Sequence, residues 1–593
     1  MADYTVTVTT GNITNATTFN NVFIKLVGTD GESERTWLFG FSGPIAFIAG
    51  QVCSFTVSCP LSIGKLILIE LDKKPLILFP EDNWFPAKVE VKSPEGHTYN
   101  FPIYRWNTDS EVNCLLLFSR LVELNLKGLA DSKENWTNID DIDRVFCCKQ
   151  TPISEYVQKH WKDDDFFGYQ FLNGVNPMTI QRCSALPKNF PVTAKMLFLR
   201  GQRSLKEEMK KGNIFLCDYK HLDGLKANTI NSMQQYLTAP LVLLHKTPDD
   251  KMMPVAIQLK QTPAEDNPIF LPTDSDYDWL MAKIFVRSAV ANEYQLNVHL
   301  LRTHLLAEVF AVSLLRNVPM VHPLYKLLIP HTRYSLQINF LARRLLISET
   351  GTITLNLFFY RSLAALTYTS LCVPEDIAER GLKDVPNFYY RDDALKLWDV
   401  IFRFVQGLLK FYYKNDDEVK QDPELQKWIS DIFEHGFLSQ ECTGIPQRFS
   451  TVAELVKFVT MVIFTCSGQH SAVNNGQYDY GGWMPNSPMS LQLPPPTTKG
   501  TANEATMLQT FPDVNTTVQA MSTVWLLSRQ SSDFVTLGQY PEEHFSEETP
   551  CELIKDFQGE LDVLEAVIKA RNRRLEVPYT YLNPAEVENS VAI

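Results

Sequence analysis

The sequence predicts a multidomain β + α protein: an N-terminal antiparallel β-sandwich over residues 1–113, then a large, mostly α-helical domain over residues 114–593. Three observations carry this. Up to about residue 112, short alternating runs rich in β-branched residues are separated by Gly, Pro, Asn and Asp clusters. Beyond it, apolar residues recur at spacings of three and four over long stretches. The composition, 45% hydrophobic and 21% charged in 593 residues, suits a globular chain long enough for two cores.

In order, the strands are YTVTV (4–8), VFIKLVG (22–28), VCSFTV (52–57), KLILIELD (65–72) and AKVEV (87–91), about a hundred residues of sandwich. The helical patterns run over 275–317, 322–347, 392–414, 451–466 and 553–574, and the Pro-rich LPPPTTKG (493–500) is a loop. A net charge of -13 argues against nucleic acid as a partner, because such binding rests on Lys and Arg neutralising phosphates. The eleven cysteines follow no framework spacing and include no CxxC pair, which fits a reducing, cytoplasmic setting. The start, MADYTVTVTTG, lacks the basic and apolar regions of a signal peptide, and no run of ~18 apolar residues is expected to span a bilayer.

The chemistry gathers around QLNVHLLRTHLLAEVF (295–310), an apolar helical stretch holding His299 and His304. Five residues apart, they stand roughly 140° apart on an ideal α-helix. One π-type turn aligns them; otherwise they are core histidines satisfied by carbonyls. A second stretch, CSGQHSAVNNGQY (466–478), puts His470 and Asn474 four apart on one helical face. The chain ends in the apolar ENSVAI, whose terminal carboxylate at Ile593 is a further candidate ligand.

HLLRTHLLAEVF, GQHSAVNNGQYDYGGWMPNSP and ENSVAI together resemble an animal lipoxygenase, and FFGYQFLNGVNP, NPIFLPTDSDYDWLMAKIFVRS, HPLYKLLIPHTRYSLQIN and YPEEHF extend the likeness over nearly the whole chain. The resemblance implies a PLAT-type sandwich before an iron-containing catalytic domain. It implies a dioxygenase that adds molecular oxygen to polyunsaturated fatty acids such as arachidonate, with an iron-bound hydroxide as the abstracting group. Imidazoles with hard oxygen donors suit such iron. The implied ligands are His299, His304, His470, Asn474 and the carboxylate of Ile593. Gln295 and Gln477 match the glutamine bridge behind the metal, or are ordinary helix-surface residues; His322 and His331 are read as structural.

For the substrate pocket the resemblance points to Leu300, Leu305, Ala342, Leu346, Thr523 and Leu527, each of which also reads as plain core. Ala291 stands where relatives often carry a bulky aromatic. Leu341 stands where some have a cation facing the fatty-acid carboxylate. Ala342 implies an S-configured hydroperoxide, by blocking oxygen from one end of the radical.

Trp84 and Phe85, in FPEDNWFP, are read as aromatic tips for a membrane surface, or as cover for an interdomain seam. The loop GNITNATTFNN has no acid and the later one only Glu81 and Asp82, which leaves calcium short of ligands.

Two segments, after FPIYRW and after Gly351, are shorter than the family pattern. PDVNTT and VPYTYLNPAEVENSVAI resemble the family's epidermal branch, one member of which isomerises hydroperoxides to epoxyalcohols. That activity, and a shortened, inactive lipid-binding relative, are the alternatives.

Overall fold

A computed structural model of the chain describes residues 2–12, 16–18, 21–38, 47–74, 84–103, 134–144, 151–197, 199, 204–345, 362, 365–530, 533–542 and 544–592. Contacts divide the chain into two units, Met1–Val122 and Glu123–Ile593. The expected boundary at 113/114 lies outside the described residues.

Among its described residues the first unit has seven strands: β1 (Ala2–Thr10), β2 (Asn21–Gly28), β3 (Thr36–Trp37), β4 (Val52–Cys59), β5 (Leu66–Lys74), β6 (Pro86–Lys92) and β7 (Thr98–Pro102). They form two antiparallel sheets, ordered β4-β1-β6-β7 and β3-β2-β5. The period-two pattern read from the sequence is the packing pattern. In β1, Tyr4, Val6 and Val8 are buried and pair across to Val57, Phe55 and Cys53. Val22, Ile24 and Leu26 of β2 complete the same core.

The expectation for Trp84 is corrected here. Its ring is 0% exposed, edge-on to Phe47 at 5.1 Å, and its indole N–H donates to Thr10 Oγ1 at 3.2 Å. Strict alternation from Val89 and Val91 would turn Trp84 outward, but the ladder with β1 shifts register between Thr9, opposite Lys88, and Thr10, opposite Pro86, and beyond that irregularity Trp84 belongs to the core rather than to a tip. Phe85 is half-buried, its ring lying against Gly11. Glu81 and Asp82 are outside the described residues.

The second unit is mostly helical, but it also holds an antiparallel sheet that the helical reading passed over. Its five strands, Gln181–Arg182, Ile214–Asp218, Leu241–Lys246, Met252–Gln258 and Ile269–Phe270, are ordered from one edge to the other with neighbours paired. Ile214–Asp218 and Leu241–Lys246 are buried almost throughout, so IFLCD and LVLLHK read as continuous apolar runs rather than alternating ones.

Two long helical rods dominate the rest of this unit, Asp276–Asn317 and Val452–Gly481. Both pass for membrane-crossing helices by length and composition alone. Their most apolar windows are 61% and 78% buried inside the protein, which makes them core helices. Tyr389–Tyr412 packs on the second rod through Trp398 and Phe464, and on Glu548–Asn572 through stacked Phe404 and Phe557.

Candidate metal centre

The first rod begins as an α-helix, Asp276–Glu293, whose Ser275 hydroxyl caps Asp278 N–H. It then widens into a π-helix, Tyr294–Leu305, before resuming as Leu306–Asn317. The second starts at Val452 with a capping box made by Thr451 and Glu454, passes through a π-turn at Thr465–Gln469 and continues as His470–Asn474. Hydroxyls support both widened stretches. Thr303 donates to the His299 carbonyl, and Ser467 to that of Ile463 at 2.6 Å, each four residues back, which satisfies carbonyls whose helical bonding is disturbed.

The widening has a geometric result. In a π-turn roughly five residues return to the same face, so His299 and His304 come together. His470 meets them from the second rod. Nε2 of His304 stands 3.2 Å from Nε2 of His299 and 3.3 Å from that of His470. All three rings are buried.

Burial pushes the His304 imidazole down to about 4, and holds His299 well below its ordinary value, where repulsion from His304 and His470 adds to it. Neutral imidazoles are the metal-ligating form. Two nitrogens on one ion, with bonds of about 2.1 Å, stand roughly 3.0 to 3.4 Å apart for ligand angles between square and tetrahedral. The two separations from His304 fit a shared cation, all three nitrogens lie within 4.8 Å of one another, and the donor set suits iron.

Around the histidines runs an amide chain. Gln295 Oε1 faces His299 Nδ1 at 3.4 Å, Gln295 Nε2 donates to Gln477 Oε1 at 2.9 Å, and Gln477 Nε2 donates to Asn474 Oδ1 at 2.7 Å. Asn474 and Gln477 are buried and Gln295 is half-buried. The structure therefore joins four sequence-predicted residues into one connection between two of the implied ligands.

Ile593 lies outside the described residues, but the tail leading to it is buried and tied down. Asn589 N–H donates to Val535 O at 2.8 Å, the Asn589 carbonyl faces His331 Nδ1 at 2.8 Å, and Ser335 Oγ donates to Val591 O at 3.2 Å. Glu588 N–H reaches the hydroxyl of Ser471, next to His470. Burial, with the Asp533 carboxylate second, pushes Glu588 up to about 8. His322 caps the helix Pro323–Leu328 and pairs with Asp422, so both it and His331 hold structure outside the histidine cluster.

The pocket candidates fall on several elements. Ala291 is buried in Asp276–Glu293, Leu300 and Leu305 are half-buried on the π-helix, Ala342 is half-buried on Ser335–Leu345, and Thr523 and Leu527 are half-buried on Val514–Leu527. The side chain of Leu341 and the whole of Leu346 lie outside the described residues. Asn339, which sequence reasoning passed over, faces His304 Nδ1 through its Oδ1 at 3.0 Å. Its signal was an amide on the buried stripe of an amphipathic helix.

Two family profiles match: PLAT/LH2 domain over residues 4–116 and Lipoxygenase over residues 126–580. The chain is 38% identical to the arachidonate 12-lipoxygenase, 12R-type, of Rattus norvegicus. It is 37% identical to the hydroperoxide isomerase ALOXE3 and 39% identical to the polyunsaturated fatty acid lipoxygenase ALOX15B, both of Homo sapiens. Each comparison covers all of both chains. These alignments span 678 to 713 positions, more than the chain's 593, so the relatives carry segments without counterpart here. Solved structures of a calcium-dependent 11R-lipoxygenase and a coral 8R-lipoxygenase superpose with TM-scores of 0.79 and 0.78 at 31% and 32% identity, again over both full chains.

Proposed function

Because the chain belongs to the lipoxygenase family, whose members use one non-haem iron, we propose that it oxygenates polyunsaturated fatty acids such as arachidonate to S-configured hydroperoxides. The observation that carries this reading is the convergence of three buried imidazoles, their nitrogens within 4.8 Å of one another. His299, His304, His470 and Asn474, with the carboxylate of Ile593, would hold the iron. When bound, it supplies one-electron oxidation of an activated C–H bond.

The chain's own residues do the rest. The hydrogen bonds to Nδ1 orient the imidazoles, while the Gln295–Gln477 pair ties His299 to Asn474. Apolar burial of the rods excludes water from a site where a carbon radical must survive. Leu300, Leu305, Ala342, Leu346, Thr523 and Leu527 are the proposed lining, with Ala291 deepening the pocket and Leu341 leaving the acid's carboxylate to another group or to methyl-end-first entry.

The isomerase reading has a specific support, 37% identity to a hydroperoxide isomerase over the full chain. Incubating purified protein with arachidonate and, separately, with its hydroperoxide decides between them. Oxygen uptake with a chiral S hydroperoxide supports the first reading, and epoxyalcohol from the hydroperoxide without oxygen uptake supports the second. A protein that binds iron poorly and converts neither is the inactive lipid-binding relative. We place the protein in the cytoplasm with peripheral membrane association. The described cysteines form no disulfide with one another, and a PLAT domain precedes the catalytic unit. With Trp84 buried, Phe85 is the remaining aromatic candidate for membrane contact.

A further inference from the structure

We propose that Asn339 and Glu308 are positioning residues that fix the tautomer of His304, so that its Nε2 carries no proton and points at the metal position. The proposal rests on the metal-centre reading.

Asn339 sits in Ser335–Leu345 and is 1% exposed. Its amide has two acceptors to serve and one donor to meet. Nδ2 donates to the backbone carbonyl of His304 at 2.6 Å and to Glu308 Oε2 at 2.8 Å, while Oδ1 faces His304 Nδ1 at 3.0 Å. Turning the amide over would set its oxygen against a carbonyl and a carboxylate, so chemistry settles its orientation. With the oxygen toward the ring, Nδ1 must be the protonated nitrogen. Nε2 is then a bare lone pair, 3.2 and 3.3 Å from two other imidazole nitrogens.

The support extends outward as a ladder between two helices. His304 and Glu308 are four apart on the first rod, and Asn339 and Arg343 are four apart on the helix Ser335–Leu345, so each pair shares a face. Arg343 Nη2 donates to the same Glu308 oxygen at 2.8 Å. The four side chains run from the buried ring to the half-exposed guanidinium. His299 lacks this arrangement: its Nδ1 meets Gln295 at 3.4 Å, and that amide passes directly to Gln477. The two histidines of the π-helix are thus held by different devices, the shorter bond being at His304.

Outer hydrogen-bond partners of ligating histidines typically change metal affinity about 10- to 100-fold when removed. A merely packing role for Asn339 would instead make metal affinity follow fold stability. The two are separated by titrating metal-free protein with Co2+ as a visible-absorption probe, alongside its unfolding temperature and the 15N shifts of His304. The wild type is expected to show the Nδ1-protonated tautomer. Asn339→Leu is expected to mix the tautomers and weaken Co2+ binding about 10- to 100-fold. Leu314→Ala, in the same rod and buried, supplies a loss of stability without access to His304 Nδ1, and is expected to leave Co2+ affinity within about threefold.

If Asn339→Leu does not fold, the exchange pair decides. Asn339→Asp alone opposes two carboxylates, whereas Asn339→Asp combined with Glu308→Gln keeps the acceptor to His304 and reverses the outer bond. The combined variant is expected to bind Co2+ more tightly than Asn339→Asp, with a shifted ligand-field band. Co2+ affinity that follows unfolding temperature across all variants, or an Asn339→Leu protein that keeps the single tautomer and wild-type affinity, overturns the proposal. A wild type that binds neither Co2+ nor iron overturns the metal centre itself.

Discussion

Replacing Gln477 by glutamate tests the direction of the amide chain behind the histidines. Gln477 is 2% exposed, accepts from Gln295 Nε2 at 2.9 Å and donates to Asn474 Oδ1 at 2.7 Å. Glutamate keeps the half that faces Gln295. The other half turns from N–H donor into carboxylate oxygen and opposes the Asn474 oxygen in a buried place. A buried polar group left without its partner costs about 1–3 kcal/mol, and more when charged. At about 1.4 kcal/mol per tenfold, that is roughly a 5- to 150-fold loss in metal affinity if the whole effect reaches Asn474. Gln477→Leu removes both bonds without adding a charge, so its loss is expected to be no larger than that of Gln477→Glu. The assay is iron bound per chain against a competing chelator, with the unfolding temperature of the metal-free protein as a check on folding. A folded Gln477→Glu protein that holds iron as tightly as wild type would refute the amide directions, and with them the link from His299 to Asn474.

Trp84→Ala removes a fully buried ring and the partner of Thr10 Oγ1, so the sandwich should lose about 3–5 kcal/mol. Calorimetry showing an unchanged sandwich, with liposome binding alone reduced, would return Trp84 to the membrane. Deleting Ile593 or appending a C-terminal tag should lower iron content and turnover while Ile593→Val is tolerated; a tagged protein with full iron and activity would remove the carboxylate from the ligand set. Ala342→Gly should shift product chirality toward R on chiral chromatography, and an R product from the wild type would sink the stereochemical reading. Metal-free protein should lose stability in acid, because His304 and His331 are pushed to about 4 by burial while unfolded histidine titrates near 6.5. Above about 6.5 the stability is complete; as pH falls toward 4 the unfolded chain takes up protons that the fold resists, a loss of up to about 3 kcal/mol per histidine. Denaturant midpoints that stay flat between pH 6.5 and 4 would contradict this.

The convergence of His299 and His304 was legible because a spacing of five makes sense only with a widened turn, and the π-helix Tyr294–Leu305 supplies one. The sandwich strands were legible because one face of each sheet is buried, which leaves alternation in the sequence. The five-stranded sheet of the second unit was not, since strands buried on both faces lose that alternation. Trp84 was misread for a related reason. A flanking Pro and two acids look like a loop tip, and the register shift opposite Thr9 and Thr10, which turns the ring inward, is not visible in the sequence. Asn339 and Glu308 are 31 residues apart in the chain, and the bond that matters exists only once their two helices pack.

That dependence on packing also explains why two rods apolar enough for a bilayer belong inside a protein. A lipid environment offers a buried imidazole no partner, and an unsatisfied polar group there costs several kcal/mol. In this fold each rod finds its partners on the other or on a neighbouring helix. His470 comes to His304, Gln477 to Gln295, and Asn339 to both ends of His304. Separating the rods would therefore strand several polar groups at once, and a cation shared by the imidazole nitrogens, which stand 3.2 and 3.3 Å from His304 Nε2, would tie the rods together. Metal binding should then stabilise the packing of these rods more than that of the sandwich. Hydrogen exchange with and without bound metal tests this, the slowing being expected in 294–305 and 465–474 and absent from 2–103.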